Sequence, residues 1–262
     1  MLILLEHPLS PYVQKVKIAL REKGVEFTSH IPKGMATGKT TGEFALKTIR
    51  GEVPELIDDN RRISDSTIIL EFIEMRWPDP ALLPSDPYEA ARARMIEDVM
   101  DTHYEAINWG VFELEFFGRA EGERKEQLLE TARTQISGFH RWLEGELQSS
   151  GWFVGDSFGW ADLSVLPFIN GSASFGVAPP EGSRLATWQA AANARESVVK
   201  TMEEAEREIE NMGQIRQDFD KGNLRREYRD HRLEWMMKSG GIDVVFEGLK
   251  AGNIRFSVEE MG

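Results

Sequence analysis

Ser10 and Pro11 open the first helical pattern of the chain, a few residues after a short apolar run. Serine at the N-cap followed by proline at the first helical position is a common helix start, so the hydroxyl can serve to close the helix. The same hydroxyl can instead donate a hydrogen bond to an anion, which is worth about 1.5–3 kcal/mol. The adjacent helix N-terminus adds about 0.3–1 kcal/mol for an anion. Ser10 is therefore either a helix cap or an anion donor.

A second candidate site lies at Asp65 and Ser66, ahead of another helical pattern. Taken alone, Asp-Ser before a helix is a capping pattern. A helix that begins at Ser66 also offers free N–H groups and a macrodipole that favour an anion. The two residues can therefore either cap the helix or hold a ligand at its start.

Lys39 lies in a Gly- and Thr-rich stretch, GMATGKTTGE, whose composition is that of a loop. The Gly-Lys-Thr-Thr part resembles the end of a phosphate-binding loop, but the Gly-x-x-x-x-Gly spacing is missing and no strand precedes it immediately. Nucleotide binding is therefore rejected. Because surface lysines are mostly solvated, an exposed loop lysine is one interpretation of Lys39.

The composition excludes several kinds of function. The 262-residue chain has no cysteine, which removes disulfides, thiolate metal sites and any mechanism with a cysteine nucleophile. Its five histidines show no metal-ligand spacing, so no metal is expected. A formal net charge of -13 argues against nucleic acid, whose binding relies on clustered Lys and Arg.

No apolar stretch reaches the roughly 20 residues of a membrane span, and the N-terminal run lacks the basic flank of a signal peptide. We therefore expect a cytoplasmic protein with no membrane partner.

The start of the chain alternates between strand and helix patterns. Strands are predicted at 2–5, 26–31, 53–57 and around 62–63. A helix over 10–23 has one apolar face, made by Val13, Val16, Ala19 and Leu20. A second helix follows residue 66 and stops before Trp77. Pro54 cannot donate to a strand ladder, which places it at an edge or a bend and allows a cis peptide bond.

After a linker at 78–87 that contains four prolines, the patterns become almost wholly helical. Helices are predicted at about 88–117 and 121–148, with shorter ones to about 211. A charged amphipathic helix is predicted at 225–238, with Leu233, Trp235 and Met236 apolar. The predicted fold class is an α/β module at 1–79, an all-α domain at 86–213 and a C-terminal extension at 214–262.

Four motifs in this order resemble those of the glutathione S-transferase family. They are SPYVQKVKIAL at 10–20, GEVP at 51–54, ISDS at 63–66 with its following helix, and GWADLS at 159–164. The first motif resembles the plant tau class. The Ser-Pro-Tyr-Val form and the Phe-Gly-Trp-Ala segment are also similar to bacterial glutathione enzymes of the β-etherase type, which cleave aryl ethers.

The resemblance implies a thioredoxin-like, glutathione-binding N-terminal domain and a helical C-terminal domain with an electrophile pocket. It also implies that Ser10 is the catalytic residue of a serine-type enzyme, whose hydroxyl donates to the glutathione sulfur. Lowering the pKa of a free thiol, about 8.5, by two units requires about 2.7 kcal/mol. A charged hydrogen bond together with the helix N-terminus can supply this. Members with a cysteine at this position use thiol chemistry that a cysteine-free chain lacks.

The resemblance further implies the residues that bind glutathione, the cosubstrate. Val53 would offer its backbone to the cysteinyl unit in the manner of a strand, and Pro54 would present it. Asp65 would take the γ-glutamyl ammonium and Ser66 the γ-glutamyl carboxylate. Lys39 would take the glycine carboxylate.

The electrophile pocket is expected between the two modules, beside Tyr12. The first long helix of the second domain is rich in aromatic residues, most of which should pack inward. Tyr104 and Trp109 are the two predicted to line an apolar, aromatic site. Asp162 is predicted to be a structural cap, with Gly159 in the place where the family usually has Ser or Thr. The family resemblance also implies a homodimer.

Two functions follow from these observations. The first is a glutathione transferase in which the thiolate attacks a small hydrophobic, aromatic electrophile, with aryl-ether cleavage as one variant. The alternative is a non-enzymatic protein of the same fold that binds a partner in stress response or translation. The Ser-Pro pair and Asp65-Ser66 favour the enzyme, and the long C-terminal extension keeps the alternative open.

Overall fold

The computed structural model describes residues 1–32, 51–210, 212–222 and 230–254, so the prediction for Lys39 lies outside the described residues. The first domain is built from β1 (Leu2–Leu5), α1 (Pro11–Glu22), β2 (Thr28–His30), β3 (Glu55–Asp58), β4 (Arg61–Ser64) and α2 (Ser66–Arg76). Its sheet has the strand order β2-β1-β3-β4. β1 is parallel to β2 and antiparallel to β3, and β3 and β4 form an antiparallel hairpin.

The second domain is helical. It contains α3 (Pro87–Val99), α4 (Glu105–Glu115), α5 (Gly122–Glu146), α6 (Trp160–Ser174), α7 (Arg184–Asn193), α8 (Glu196–Ile209) and α9 (Met212–Asp220). This confirms the predicted fold class. A π-helical turn at Met100–Tyr104 joins α3 to α4, so the long helix predicted there is interrupted by a wider turn of the kind often found at functional sites.

Two short helices, α10 (His231–Lys238) and α11 (Ile242–Lys250), lie beyond the second domain. α10 covers the end of the helix predicted at 225–238, of which 225–229 lie outside the described residues. It buries none of its residues, and Trp235 and Met237 are exposed. Phe246 on α11 is exposed as well. Within the described ranges, no helix is both long and apolar enough to cross a membrane.

α1 is buried on all of its sides. It packs against α2 of its own domain and against α6 and α8 of the helical domain. The apolar face predicted from the sequence is buried, but so are Lys15 and Lys17, which lie at its two edges. A helix between two layers has no solvent face, and its lysines must therefore find carboxylate partners inside the protein.

Asp162 fixes the start of α6, as predicted. Its Oδ2 accepts a hydrogen bond from the Gly159 N–H at 2.9 Å, and its Oδ1 accepts one from the Trp188 indole at 2.7 Å. Gly159 has no side chain to complete a reciprocal cap. A residue with a side chain does not fit at position 159, because a Cβ there would lie 2.7 Å from the backbone oxygen of Leu82. That oxygen also accepts from the N–H of Trp160 at 2.8 Å, so the linker crosses directly over the helix start.

Tyr104 lies in the core of the helical domain. Its side chain is fully buried, and its hydroxyl is 3.0 Å from His140 Nε2 and 2.8 Å from Ser172 Oγ. A residue with no exposed surface cannot line an open pocket, which corrects the expectation for Tyr104. Burial raises the pKa of Tyr104 above its ordinary value and lowers the pKa of His140 to about 4. The group is therefore a neutral, structural network.

The steric account of Gly159 predicts opposite effects for one substitution at two sites. Gly159→Ala should lower the free energy of unfolding by about 1–3 kcal/mol, because the new methyl group overlaps the Leu82 carbonyl oxygen. Gly145→Ala, at an exposed position in α5 with open space around it, should raise it by about 0.5–1 kcal/mol. Urea unfolding of the two variants and the wild type measures both values. A stabilised Gly159→Ala variant would contradict the close approach.

The buried position of His140 predicts a pH dependence of stability. The unfolded chain protonates this histidine near its ordinary pKa of about 6.5, whereas the folded protein resists protonation down to about 4. The histidine's contribution to stability is therefore complete above about pH 6.5 and is lost as the pH falls towards 4. His140→Phe keeps the Tyr104–Ser172 hydrogen bond and should reduce the loss of unfolding free energy between pH 7 and 4.5 by about 2–3 kcal/mol.

The control for this measurement is His231→Gln, at an exposed position of α10. It should leave the pH dependence unchanged when urea unfolding is repeated at both pH values. Equal acid sensitivity of His140→Phe and the wild type would show that His140 is not held neutral.

Candidate functional site

The register of the sheet brings three predicted site segments to one end of it. Leu5 at the end of β1 pairs with Glu55, and Glu55 pairs with Ser64 at the end of β4. Ser10 follows β1, Val53 precedes β3 and Asp65 follows β4. All three segments therefore lie at the same end of the sheet, although they are far apart in the chain.

The Ser10 hydroxyl does not cap α1. Ser10 occupies the N-cap position in an extended conformation, and its carbonyl oxygen accepts from the N–H groups of Val13 and Gln14, both at 3.0 Å. Its side chain makes no capping hydrogen bond. The serine is only half-buried, so the hydroxyl can reach a group outside the helix. The capping interpretation of the side chain is wrong, and the role as an anion donor stays a prediction.

The approach to Ser10 is held in place by backbone contacts. The N–H of Ser10 donates to the carbonyl oxygen of His7 at 2.9 Å. The buried Gln14 side chain donates to the carbonyl oxygen of Pro8, also at 2.9 Å. These bonds close a short turn between β1 and α1, so the hydroxyl is carried on a supported backbone.

Asp65 caps α2, as one of the two interpretations predicts. Its Oδ1 accepts from the N–H groups of Thr67 and Ile68, at 3.0 and 3.3 Å. The residue has a φ of 81°, a left-handed value that costs a non-glycine residue about 1–3 kcal/mol and occurs often at functional sites. Its role towards an ammonium group stays a prediction.

The Val53–Pro54 peptide bond is cis, one of the arrangements the sequence allows. Val53 is half-buried and packs its side chain on the core, whereas Pro54 is buried. Within the described part of the chain, no hydrogen bond engages the backbone N–H or C=O of Val53. Ser66 is buried at the first position of α2, next to the helix N-terminus. Both places leave polar backbone groups for a ligand.

Tyr12 and Trp109 occupy different positions from Tyr104. The Tyr12 hydroxyl donates to the backbone oxygen of Asp101 at 2.7 Å, and its ring packs edge-on against Phe168 at 5.9 Å between centroids. Tyr12 therefore bridges the two domains. Trp109 lies on α4 and is half-buried. Both side chains keep some exposed surface, which a wall of a pocket requires.

Four carboxylates influence Tyr12. Burial is the largest cause that raises the pKa of Tyr12 above its ordinary value, and negative charges add to it; they belong to Glu105, Asp101, Glu52 and Asp65. The Tyr12 hydroxyl therefore stays protonated, and it can act only as a hydrogen-bonding group near neutral pH.

A buried ion cluster behind the site was not predicted from the sequence. Lys15 Nζ lies 2.6 Å from Glu97 Oε1 and 2.5 Å from Asp101 Oδ2, which joins α1 to the helical domain. Glu97 Oε1 also accepts from the Thr67 hydroxyl at 2.9 Å. Burial raises the pKa of Asp101 to about 6 even though the charge of Lys15 opposes the shift. No local pattern marks these residues, because Lys15 and Glu97 are 82 positions apart.

Comparison with protein families agrees with the two domains. Residues 4–81 match the family model for the N-terminal domain of glutathione S-transferases, and residues 96–196 match the model for their C-terminal domain. Among curated proteins, the chain is similar to glutathione S-transferase U28 of Arabidopsis thaliana, with 31% identity over 83% of this chain and 95% of the relative. It is 30% identical to the probable glutathione S-transferase parC of Nicotiana tabacum, over 83% of this chain and 96% of that relative.

Solved structures lead to the same family. The rice GST1 structure (OsGSTU1) in complex with glutathione superposes with a TM-score of 0.68 and 26% identity, over 83% of this chain and 97% of that one. A tau class transferase from mango superposes with a TM-score of 0.64 and 24% identity, over 77% and 92% of the two chains, which shows the shared fold. The order of the two matched domains agrees with the fold described above. The chain belongs to the glutathione S-transferase family.

Proposed function

We propose that this protein is a serine-type glutathione S-transferase in which Ser10 holds the glutathione sulfur as a thiolate. The proposal rests on the Ser10 hydroxyl. It lies at the start of α1 on a half-buried residue, and it does not cap the helix. In a chain without cysteine, the attacking sulfur must come from the substrate. Ser10 acts as a hydrogen-bond donor and not as a nucleophile.

The chemistry then has two steps. The thiol of glutathione loses its proton to solvent, and the Ser10 hydroxyl and the N-terminus of α1 stabilise the resulting anion. The thiolate sulfur attacks an electrophilic carbon, so that a C–S bond forms while the bond to the leaving group breaks. The protein contributes the hydrogen bond, the orientation of the sulfur and the exclusion of water.

The rest of glutathione is assigned to the residues around this point. The backbone of Val53, presented by the cis Pro54, pairs with the cysteinyl unit. Asp65 takes the ammonium group, and the N-terminus of α2 at Ser66 takes the γ-glutamyl carboxylate. Lys39 is assigned to the glycine carboxylate on the family resemblance alone.

The electrophile is proposed to be small, hydrophobic and aromatic, and to lie near Tyr12 and Trp109 at the boundary between the domains. An aryl ether is one substrate of this class, with the phenolate as the leaving group. A non-enzymatic partner-binding role is the alternative. The exposed apolar residues Trp235, Met237 and Phe246 of the C-terminal helices favour that alternative.

The active protein is proposed to be a homodimer, the state typical of the family. Apolar side chains that are each more than half exposed lie on the outer faces of two neighbouring helices: Ile68 and Met75 on α2, and Tyr88 and Met95 on α3. Each pair is seven residues apart, so each forms one stripe along its helix. An ion pair between Glu71 and Arg94 links the two helices beside these stripes. A second copy of the chain can cover this apolar surface.

Two serine substitutions separate catalysis from helix capping. Ser10→Ala should lower turnover with a chlorodinitrobenzene about tenfold or more and raise the pKa of the bound thiol by about 1–2 units, since one hydrogen bond to the anion is lost. Because the Ser10 hydroxyl makes no cap, stability should change little. Ser183→Ala removes a true cap, the 3.0 Å hydrogen bond from the Ala186 N–H. It should cost about 1 kcal/mol of stability and leave the thiol pKa unchanged.

The measurements are the pH dependence of turnover and the ultraviolet absorbance of the bound thiolate, together with calorimetric titration of glutathione. Wild-type turnover and thiol pKa in Ser10→Ala would reject the role of Ser10. A wild-type protein that does not bind glutathione at millimolar concentration would favour the non-enzymatic alternative.

The dimer proposal predicts the effect of a charge in the apolar stripe. Met75→Glu should convert a dimer to a folded monomer, because a carboxylate would be desolvated in the interface. Val199→Glu, at an exposed site on α8, is the matched control and should leave the dimer intact. Light scattering after size exclusion gives the mass, and circular dichroism checks the fold. A monomeric wild type, or a dimeric Met75→Glu variant, would contradict the proposed surface.

A further inference from the structure

One buried carboxylate of the helical domain touches both helices that carry the proposed glutathione site. Glu97 lies on α3 and is almost completely buried. Its Oε1 accepts from Lys15 Nζ on α1 at 2.6 Å and from the Thr67 hydroxyl on α2 at 2.9 Å. Its Oε2 accepts from the indole N–H of Trp160 on α6. Four elements therefore meet at this carboxylate.

Lys15 and Thr67, which both donate to Glu97, are close in the chain to the residues of the proposed site. Lys15 is five positions after Ser10 on the same helix, and Thr67 directly follows Ser66. A shift of Lys15 relative to Thr67 would therefore change the separation between the Ser10 hydroxyl and the N-terminus of α2. Both groups must meet the same tripeptide, so this separation bears directly on its binding.

The chemistry of the three donors requires a carboxylate at this place. An ammonium, a hydroxyl and an indole N–H all point at Glu97, and an ionised carboxylate only accepts hydrogen bonds. A glutamine would turn an NH₂ group towards at least one of these donors. That donor would lose its partner in a buried position, and the helices would have to move apart to relieve the conflict.

We propose that Glu97 is a positioning residue of the glutathione site, which sets the separation between Ser10 on α1 and Asp65–Ser66 on α2 from the opposite domain. The inference rests on the proposed function. Glu97 does not touch glutathione; it acts through Lys15 and Thr67. Asp101 is the second carboxylate on Lys15, at 2.5 Å, so the lysine keeps one partner when Glu97 is neutralised.

The same two helices provide a matched control at their other ends. Lys23, just after α1, lies 2.8 Å from Glu74 of α2, and both side chains are largely buried. Lys23 is 13 residues from Ser10, or about 20 Å along the helix axis. Glu74→Gln therefore removes a buried charge that joins α1 to α2 without loosening the ends that carry the site.

The test is calorimetric titration of glutathione, with the pKa of the bound thiol and the melting temperature measured in parallel. We expect Glu97→Gln to weaken binding about tenfold, which corresponds to about 1.4 kcal/mol of binding free energy. We also expect it to raise the thiol pKa. Glu74→Gln should lower the melting temperature and keep the wild-type affinity and thiol pKa.

Thr67→Val tests the link to α2 by itself, because it replaces one hydroxyl with a methyl group of similar size. It should weaken glutathione binding by less than Glu97→Gln does, and the double variant Thr67→Val, Glu97→Gln should bind no more weakly than Glu97→Gln alone. If Glu97→Gln does not fold, Thr67→Val still decides the matter. Wild-type affinity in Thr67→Val would then overturn the inference.

Two further results would overturn the inference while the proposed function stands. One is Glu97→Gln that melts earlier but binds glutathione and ionises its thiol like the wild type, which is the outcome of a purely structural role. The other is an equal loss of affinity in Glu74→Gln, which would reflect general loosening of the helices. A wild-type protein that binds no glutathione would overturn the proposed function, and this inference with it.

Discussion

The structure depends on the pairing of buried lysines of the first helix with carboxylates from elsewhere in the fold. α1 lies between its own domain and the helical domain, so it has no solvent face. Lys15 meets Glu97 and Asp101, and Lys17 lies 2.7 Å from Glu204 of α8. Removing one partner of such a pair costs about 3–5 kcal/mol, because the remaining charge stays buried. Glu6 is a further partner of Lys17 within the first domain, and the ion pairs to Glu97, Asp101 and Glu204 hold the two domains in one arrangement.

This arrangement also positions the chemistry. The start of α1 carries Ser10, and the middle of the helix is anchored to the helical domain through Lys15. The protonation of Asp101 bears on this anchor: burial raises the pKa of its carboxyl to about 6, so the ion pair with Lys15 is fully charged only above that pH. As the folded protein holds this proton more tightly than the unfolded chain, Asp101 makes folding less favourable as the pH rises from about 4 to 6. Above about pH 6 the ion pair between Lys15 and Asp101 is fully charged, and in the same range the burial of the ionised Asp101 carboxylate lowers the stability of the fold most.

Local strain occurs next to the proposed site and is supported by its surroundings. Asp65 keeps a left-handed backbone while its carboxylate caps α2. The hydroxyl of Thr67, two positions later, is bound by Glu97. The helix start is therefore held from both sides, by a cap within the first domain and by a hydrogen bond from the second. Ser10 differs from Asp65, because its side chain makes no hydrogen bond that caps the helix it begins.

The sequence by itself determined the order of strands and helices, the two-domain fold class and the local motifs around Ser10, Val53 and Asp65. These features depend on periodicity and on residues that are neighbours in the chain, as does the cap that Asp162 provides for α6. Only the tertiary structure decided that Tyr104 belongs to the core. It also revealed why residue 159 is a glycine, because the carbonyl oxygen of Leu82 comes from a distant linker.

The sequence prediction and the tertiary structure differ most at α1. Its pattern predicts one apolar face and gives no sign that Lys15 and Lys17 are buried, since lysine is rarely buried. The structure buries both: Lys15 meets Glu97, which is 82 positions away, and Lys17 meets Glu6 of its own domain and Glu204 of α8. Such partners leave no trace in local spacing. The sequence therefore determined which residues could do chemistry, and the packing of one domain on the other decided how they are held.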